Sequence, residues 1–151
     1  MNKKMNIVIV GLGNIGAYFY NYLKKNKNII FNKTNTVPNI LFVSAKSFAK
    51  KRNFSLPKKI WLKDYLSATK MKNVDIIVEL IGGADGSAKK LAFQALKNKK
   101  HFITANKALV AKYGDELSKI AEKNGVNFEF EAAVCGGIPI IRSIKEGLIA
   151  N

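Results

Sequence analysis

The period of the hydrophobic positions changes along this chain, and each change marks an element. Ile7–Val10 is an unbroken β-branched run, the pattern of a strand buried on both faces of a parallel sheet. Gly11-Leu12-Gly13-Asn14-Ile15-Gly16 follows at once, and Ala17–Lys25 then takes a helical period, with Phe19, Tyr22 and Leu23 expected to face inward. Asn39–Ala45 predicts a second strand. Lys46–Lys63, basic and carrying Pro57, predicts a loop with a short helix, and Asp64–Thr69 predicts another short helix. Val74–Leu80 reads as a third strand and Gly82-Gly83-Ala84-Asp85 as punctuation. Ser87–Lys97 reads as an amphipathic helix with Leu91, Ala92, Ala95 and Leu96 on one stripe. A strand at His101–Thr104, a helix at Leu109–Lys123 and a strand at Val126–Phe130 continue the alternation. Gly136-Gly137-Ile138-Pro139 opens a last helix, Ile140–Leu148. There is no internal repeat and no low-complexity linker. Strands alternating with helices predict an α/β fold: a doubly wound parallel sheet with right-handed crossovers, a Rossmann-type nucleotide-binding domain.

Composition narrows the classes. The 151 residues suit one domain with a real core. The longest apolar runs are four residues, against the ~20 a spanning helix needs, so a membrane-spanning protein is not expected. Met1–Met5 is basic, but the apolar run behind it is too short for a signal peptide. A single cysteine, Cys135, excludes a disulfide framework and a cysteine-based metal cluster, and the cytoplasm is the expected compartment. The formal charge of +16 would suit a polyanionic partner. Yet all but two of the 26 basic residues are lysines, scattered along the chain and accompanied by Asn and Ile, as AT-rich codons produce. Arginine stands only at Arg52 and Arg142, so neither nucleic acid nor membrane is an expected partner.

The glycine motif is weak alone. Here it follows a buried strand and opens a helix, the context in which it binds a dinucleotide. Gly11 permits the tight turn, Gly13 lets the backbone approach a pyrophosphate, and Gly16 allows close packing of helix on strand. The phosphates would meet free amides at the positive end of the helix. The end of the second strand bears on the cofactor. An acid there would hold the ribose 2′-hydroxyl of NAD, but the chain exits through Ser44-Ala45-Lys46-Ser47, with Lys50, Lys51 and Arg52 beyond, so NADP is expected over NAD. Val78–Gly83 and Thr104–Leu109 leave their strands beyond the crossover, where a parallel sheet opens its ligand crevice. Lys107 could hold a substrate or cofactor oxygen there or join in proton transfer; in so basic a chain it could equally be a surface lysine. Glu131–Pro139 sets a carboxylate beside a glycine turn, which can aim carbonyls at a cation, although a structurally paired glutamate would look the same.

Val78–Gly86, Thr104–Ala111 and Glu131–Ile141, in this order behind the glycine loop, resemble homoserine dehydrogenase. The resemblance runs from Ile7 to Asn151 and is carried by Ala-Asn-Lys-Ala-Leu-Val-Ala and Glu-Ala-Ala-Val-Cys-Gly-Gly-Ile-Pro, with Cys135 where the family usually has alanine. It implies an oxidoreductase that reduces L-aspartate 4-semialdehyde to L-homoserine with NAD(P)H, on the route to threonine and methionine. Hydride would pass from the nicotinamide C4 to the aldehyde carbon. It further implies that Leu12, Gly13, Asn14 and Ile15, between Gly11 and Gly16, contact the cofactor phosphates. Ala45 and Lys46 would lie near the adenosine ribose, Gly82 near the cofactor, and Lys107 at the active centre. A monovalent cation, expected to be sodium, would use Glu131 and the carbonyls of Val134, Gly136 and Ile138. Residues 1–138 would be the NAD(P)-binding domain, and residues 139–151 the start of a truncated catalytic and dimerisation domain that supplies the general acid. Alone, the chain is expected to be inactive; the full-length protein would be a homodimer or larger. Another reductase of the same fold, a non-catalytic nucleotide-sensing module and a basic nucleic-acid-binding domain stand as alternatives.

Overall fold

A computed structural model describes residues 3–52, 54–134, 136 and 138–149. Five strands, β1 (Lys3–Val10), β2 (Thr36–Ser44), β3 (Ile76–Glu79), β4 (His101–Thr104) and β5 (Phe128–Glu129), form one parallel sheet in the order β2-β1-β3-β4-β5. The chain runs outward from β1 to β2 and then returns past β1 to β3, so the order reverses between β1 and β3. That reversal opens the crevice in which such sheets bind ligands. Beyond β2, Trp61 bridges Val43 in parallel and the Leu62 amide donates to the Val43 carbonyl at 2.8 Å.

The apolar run of β1 has a simple cause. Alternate side chains of a strand point to opposite faces, and both faces are covered. Val8 and Val10 join Ile77, Leu91, Leu96, Phe102, Leu109 and Leu117 on the face carrying α3 (Ser87–Lys97) and α4 (Lys107–Asn124). Ile7 and Ile9 join Leu12, Tyr20, Leu23, Val43 and Val78 on the face carrying α1 (Asn14–Lys25). The α3 stripe is buried as its spacing predicts, with Leu91, Ala92, Ala95 and Leu96 all enclosed.

Several elements differ from the pattern reading. In α1 the buried residues are Gly16, Tyr20 and Leu23, while Phe19 is half-buried and Tyr22 is 45% exposed. Gly16 must lie against the preceding turn, which sets the phase of the helix. The stripe then falls at i, i+4 and i+7, and Tyr22 turns outward to stack on Tyr18 at 6.0 Å between centroids. A helix the pattern did not predict, α2 (Lys27–Thr34), buries no residue and stops at Asn35, whose φ is 51°. The short helix predicted at Asp64–Thr69 is a 3-10 helix at Tyr65–Lys70, with Asp64 capping the Leu66 amide. Val74–Leu80 shortens to the four residues of β3, and Val126–Phe130 to the two of β5. The chain closes with the single turn α5 (Glu131–Val134) and with α6 (Ile140–Ile149). Among the described residues no helix is long and apolar enough to cross a membrane.

Candidate dinucleotide-binding site

The turn after β1 is squeezed from three sides. Gly11 donates its amide to the Ser44 carbonyl at 2.8 Å and has a φ of 107°. A Cβ on Gly11 would land on the Leu80 carbonyl, and one on Gly16 would land on the Gly11 carbonyl. Both glycines are therefore required by the packing of β1, β3 and α1. Gly13 is different. Its φ of −74° and ψ of −161° suit any residue, and a Cβ there would meet nothing within 4 Å. Nothing in the fold requires a glycine at this position. It bounds open space at the N-terminus of α1, where no side chain caps the helix and Ala17 is the first amide bonded back to the turn, to the Gly13 carbonyl at 2.8 Å. The residues present thus fit a pyrophosphate, with exposed Asn14 and Ile15 and buried Leu12 offering backbone rather than side chains.

From this turn an open groove runs along the C-terminal ends of the strands. One part, of 410 Å³, lies between α1 and residues Lys50–Arg52 and Phe54; the next, of 300 Å³, passes over Gly11, Gly13, Lys46 and Ile81. A third, of 430 Å³, is bounded by Ser44, Ala45, Lys46, Lys63, Tyr65 and Gly82. The last, of 200 Å³, lies among Ile15, Ile81, Gly82, Ala105 and Asn106. Lys46 and Lys50 are exposed on the groove. Arg52 also borders the groove, but its guanidinium donates to the carbonyls of Ser47 (2.8 Å), Lys50 (3.0 Å) and Phe48 (3.1 Å) and lies 5.9 Å from the Trp61 ring. It shapes the loop that carries the lysines.

Beyond the switch point, Asn106 caps α4 by accepting the Leu109 amide at 3.1 Å. Lys107 is the first residue of α4 and is exposed; it follows Asn106, which lines the last part of the groove, but is not itself among the lining residues. Beneath these loops Glu79 is fully buried, with one carboxylate oxygen accepting from the amides of Ile81 (2.6 Å) and Gly82 (3.1 Å). The other oxygen accepts from the Thr104 hydroxyl at 2.6 Å. Asp85, at the tip of the loop after β3, accepts from Lys112 at 2.8 Å and from the Tyr113 hydroxyl at 2.5 Å. The hydrogen bond from Lys112, then that from Tyr113, holds the Asp85 carboxyl below the usual carboxylate range. Neither Glu79 nor Asp85 stood out in the sequence, because each gains its role from partners far along the chain.

The Glu131 carboxylate accepts from the amides of Ile141 (3.0 Å) and Arg142 (3.3 Å), capping α6. Two lone pairs remain on it, Gly136 has a φ of 62°, and the Ile138 carbonyl accepts from the Ile140 amide at 2.8 Å. One carboxylate with the carbonyls of Val134, Gly136 and Ile138 would make an all-oxygen set, the donor type that hard cations take. Among the described residues no group of three His, Cys, Asp or Glu could hold a metal. Cys135 and Gly137 lie outside the described residues.

The reversed parallel sheet, the open glycine and the groove across the switch point define a dinucleotide-binding α/β domain. The family model described as homoserine dehydrogenase, NAD-binding domain, matches residues 11–131. The homoserine dehydrogenase of Neisseria gonorrhoeae is 41% identical over 99% of this chain, and that of Bacillus subtilis 36% identical over 99%. Among solved structures, the homoserine dehydrogenase of Thiobacillus denitrificans is 35% identical with a TM-score of 0.85, over 99% of this chain and 34% of that one. A hyperthermophilic archaeal homoserine dehydrogenase in complex with NADPH shares the fold, with a TM-score of 0.77 at 20% identity, over 97% of this chain and 50% of that one. The chain belongs to the homoserine dehydrogenase family and corresponds to its NAD-binding part. It spans 34% of the length of the Neisseria and Bacillus relatives.

Proposed function

We propose that this chain holds NADP(H) for the interconversion of L-homoserine and L-aspartate 4-semialdehyde, a step toward threonine and methionine. The observation that carries the reading is the contrast among the three glycines: Gly11 and Gly16 are demanded by backbone contacts, while Gly13 faces open space at the N-terminus of α1, where a pyrophosphate could approach the backbone. Backbone amides of Leu12, Gly13, Asn14 and Ile15 would hold the pyrophosphate. Ala45 lets the adenosine ribose approach the end of β2, where Lys46 offers charge to a 2′-phosphate and the strand itself ends without an acid. Gly82 lies under the far half of the groove, and Lys107, next in the chain to the groove-lining Asn106, would orient or polarise the reacting oxygen.

When bound, the dinucleotide supplies or accepts the hydride. The residues of this chain bind and orient, and the general acid comes from a catalytic and dimerisation domain that begins near residue 139, after a nucleotide-binding domain of residues 1–138. A monovalent cation, sodium as the family resemblance implies, would tie Glu131 to the carbonyls of Val134, Gly136 and Ile138 and keep that loop in shape. The single-cysteine composition supports a cytoplasmic protein, and the dimerisation domain supports a homodimer or larger assembly.

Calorimetric titration of the chain with NADP(H) and NAD(H) tests the cofactor assignment. NADP(H) should bind more tightly, and Lys46→Glu should shift the ratio toward NAD(H). Tighter NAD(H) binding by the unaltered chain, or a ratio indifferent to Lys46→Glu, removes the assignment.

A further inference from the structure

The least expected group in the molecule is a carboxylate with no cation beside it. Glu79 ends β3 at the switch point, is fully buried, and among the described residues forms no ion pair within 4.0 Å. A charge in that position is costly unless hydrogen bonds satisfy it. Three do: the amides of Ile81 and Gly82 on one oxygen and the Thr104 hydroxyl on the other. The chain of bonds continues. Thr104 accepts the Asn106 amide at 2.9 Å, and the Asn106 side chain donates to the Gly83 carbonyl at 2.6 Å. The ring therefore closes across two loops, gripping residues 81–83 by their amides from below and by a carbonyl from the side. Gly82 and Gly83, with φ of 75° and 80°, occupy left-handed conformations that a free loop would not hold uniquely.

Ile81 and Gly82 border the groove on both sides of the switch point, whereas the other end of the ring, at Asn106, lines only its last part. The glycine turn receives the pyrophosphate, and the end of β2 receives the adenosine ribose. By the two-fold logic of the fold, the nicotinamide half lies over the ends of β3 and β4, where Ile81, Gly82, Ala105 and Asn106 line the groove. We propose that Glu79 is a positioning residue for the nicotinamide half of the site. It acts through Thr104 and the amides of Ile81 and Gly82, and has no part in holding the adenosine half. This rests on the nucleotide-binding reading above and adds to it a division of labour that neither the motif nor the family assignment contains.

The test compares two ligands on the 151-residue chain: NADP⁺, and adenosine 2′,5′-bisphosphate, which lacks the nicotinamide half. Thr104→Val keeps the shape of the side chain and removes the hydroxyl, leaving a carboxylate oxygen and the Asn106 amide without partners. It should weaken NADP⁺ by about tenfold or more, the scale of a hydrogen bond to a charged group. Affinity for adenosine 2′,5′-bisphosphate should not change, and Thr104→Ser, which restores the hydroxyl, should recover NADP⁺ binding. Glu79→Gln, near-isosteric and able to keep the amide bonds, should reproduce the selective loss and carries the comparison if Thr104→Val does not fold. Equal weakening of both ligands, no weakening of either, or failure of Thr104→Ser to rescue would overturn the positioning role. If the unaltered chain binds neither ligand, the nucleotide-binding reading itself fails, an outcome separate from the others.

Discussion

Gly13→Val is the perturbation that separates a ligand's need from a fold's need. A Cβ at Gly13 meets no atom within 4 Å and the backbone there is extended, so folding should tolerate the branched side chain. Two small opposing effects remain. Valine lowers the entropy of the unfolded chain, a gain of ~0.4–1 kcal/mol, and is a poorer N-cap than glycine, a loss of ~0.5–1 kcal/mol. Stability should thus change by no more than about 1 kcal/mol, which for this size is a melting shift of about 2–4 °C. Binding is another matter. The two methyls of valine would stand where phosphate oxygens must come within hydrogen-bonding distance of the Gly13, Asn14 and Ile15 amides. Losing two such charge-assisted bonds costs about 3–6 kcal/mol, so affinity should fall on the order of 100-fold or more. Isothermal titration with NADP(H), alongside circular dichroism and thermal melts, measures both sides. Retained affinity in a folded Gly13→Val chain would make the loop a structural turn, and a collapse of the melting temperature would mean that the space above Gly13 is not free.

Gly16→Ala should do the reverse: its methyl lands on the Gly11 carbonyl, so urea unfolding should show a loss of ~1–3 kcal/mol, and an unchanged midpoint would refute the packing argument. The 151-residue chain should bind NADP(H) yet show negligible oxidation of homoserine, because losing the positioned partner groups can remove ~7–11 kcal/mol of assistance. In the longer protein, Lys107→Ala should lower turnover by more than it weakens nucleotide binding; equal losses would reduce Lys107 to a binding residue. The Asp85 carboxyl, held low by Lys112 and Tyr113, stabilises the loop after β3 at pH above its unfolded value, ~3.9. That contribution disappears as pH falls through the lower folded value. The effect is small and salt-sensitive because the pair is exposed, and an NMR titration in which Asp85 and its Lys112→Ala background titrate alike would remove it.

Much of the architecture was legible because it is written in local periodicity. The uniform burial of Ile7–Val10, the stripe of Ser87–Lys97 and the glycine turn between strand and helix each follow from a few neighbouring residues, and together they specify a doubly wound sheet. Periodicity was least informative where local preference is weak, as in Lys27–Thr34, which buries nothing, and in Phe128–Glu129, whose strand ends after two residues. The phase of α1 lay outside its own pattern, since Tyr20 rather than Tyr22 turns inward only because Gly16 must sit on the Gly11 carbonyl.

The site divides in the same way. Sequence alone determined that three glycines stand between a buried strand and a helix, that no acid follows the second strand, and that Asn106 and Lys107 leave the fourth. The motif also distinguished the three glycines; tertiary structure supplied what stands opposite each Cβ: Leu80 for Gly11, Gly11 for Gly16, and nothing within 4 Å for Gly13. The same holds for Arg52, whose guanidinium donates to three carbonyls of its own loop, and for Glu131, whose carboxylate caps α6 ten residues on. It holds most of all for Glu79, a glutamate like any other in the chain until β3 and β4 pair and bring it to Thr104, 25 residues away. Local patterns encode which faces are buried, whereas the partners of a polar group are set by pairings between distant segments, and only the folded sheet makes those.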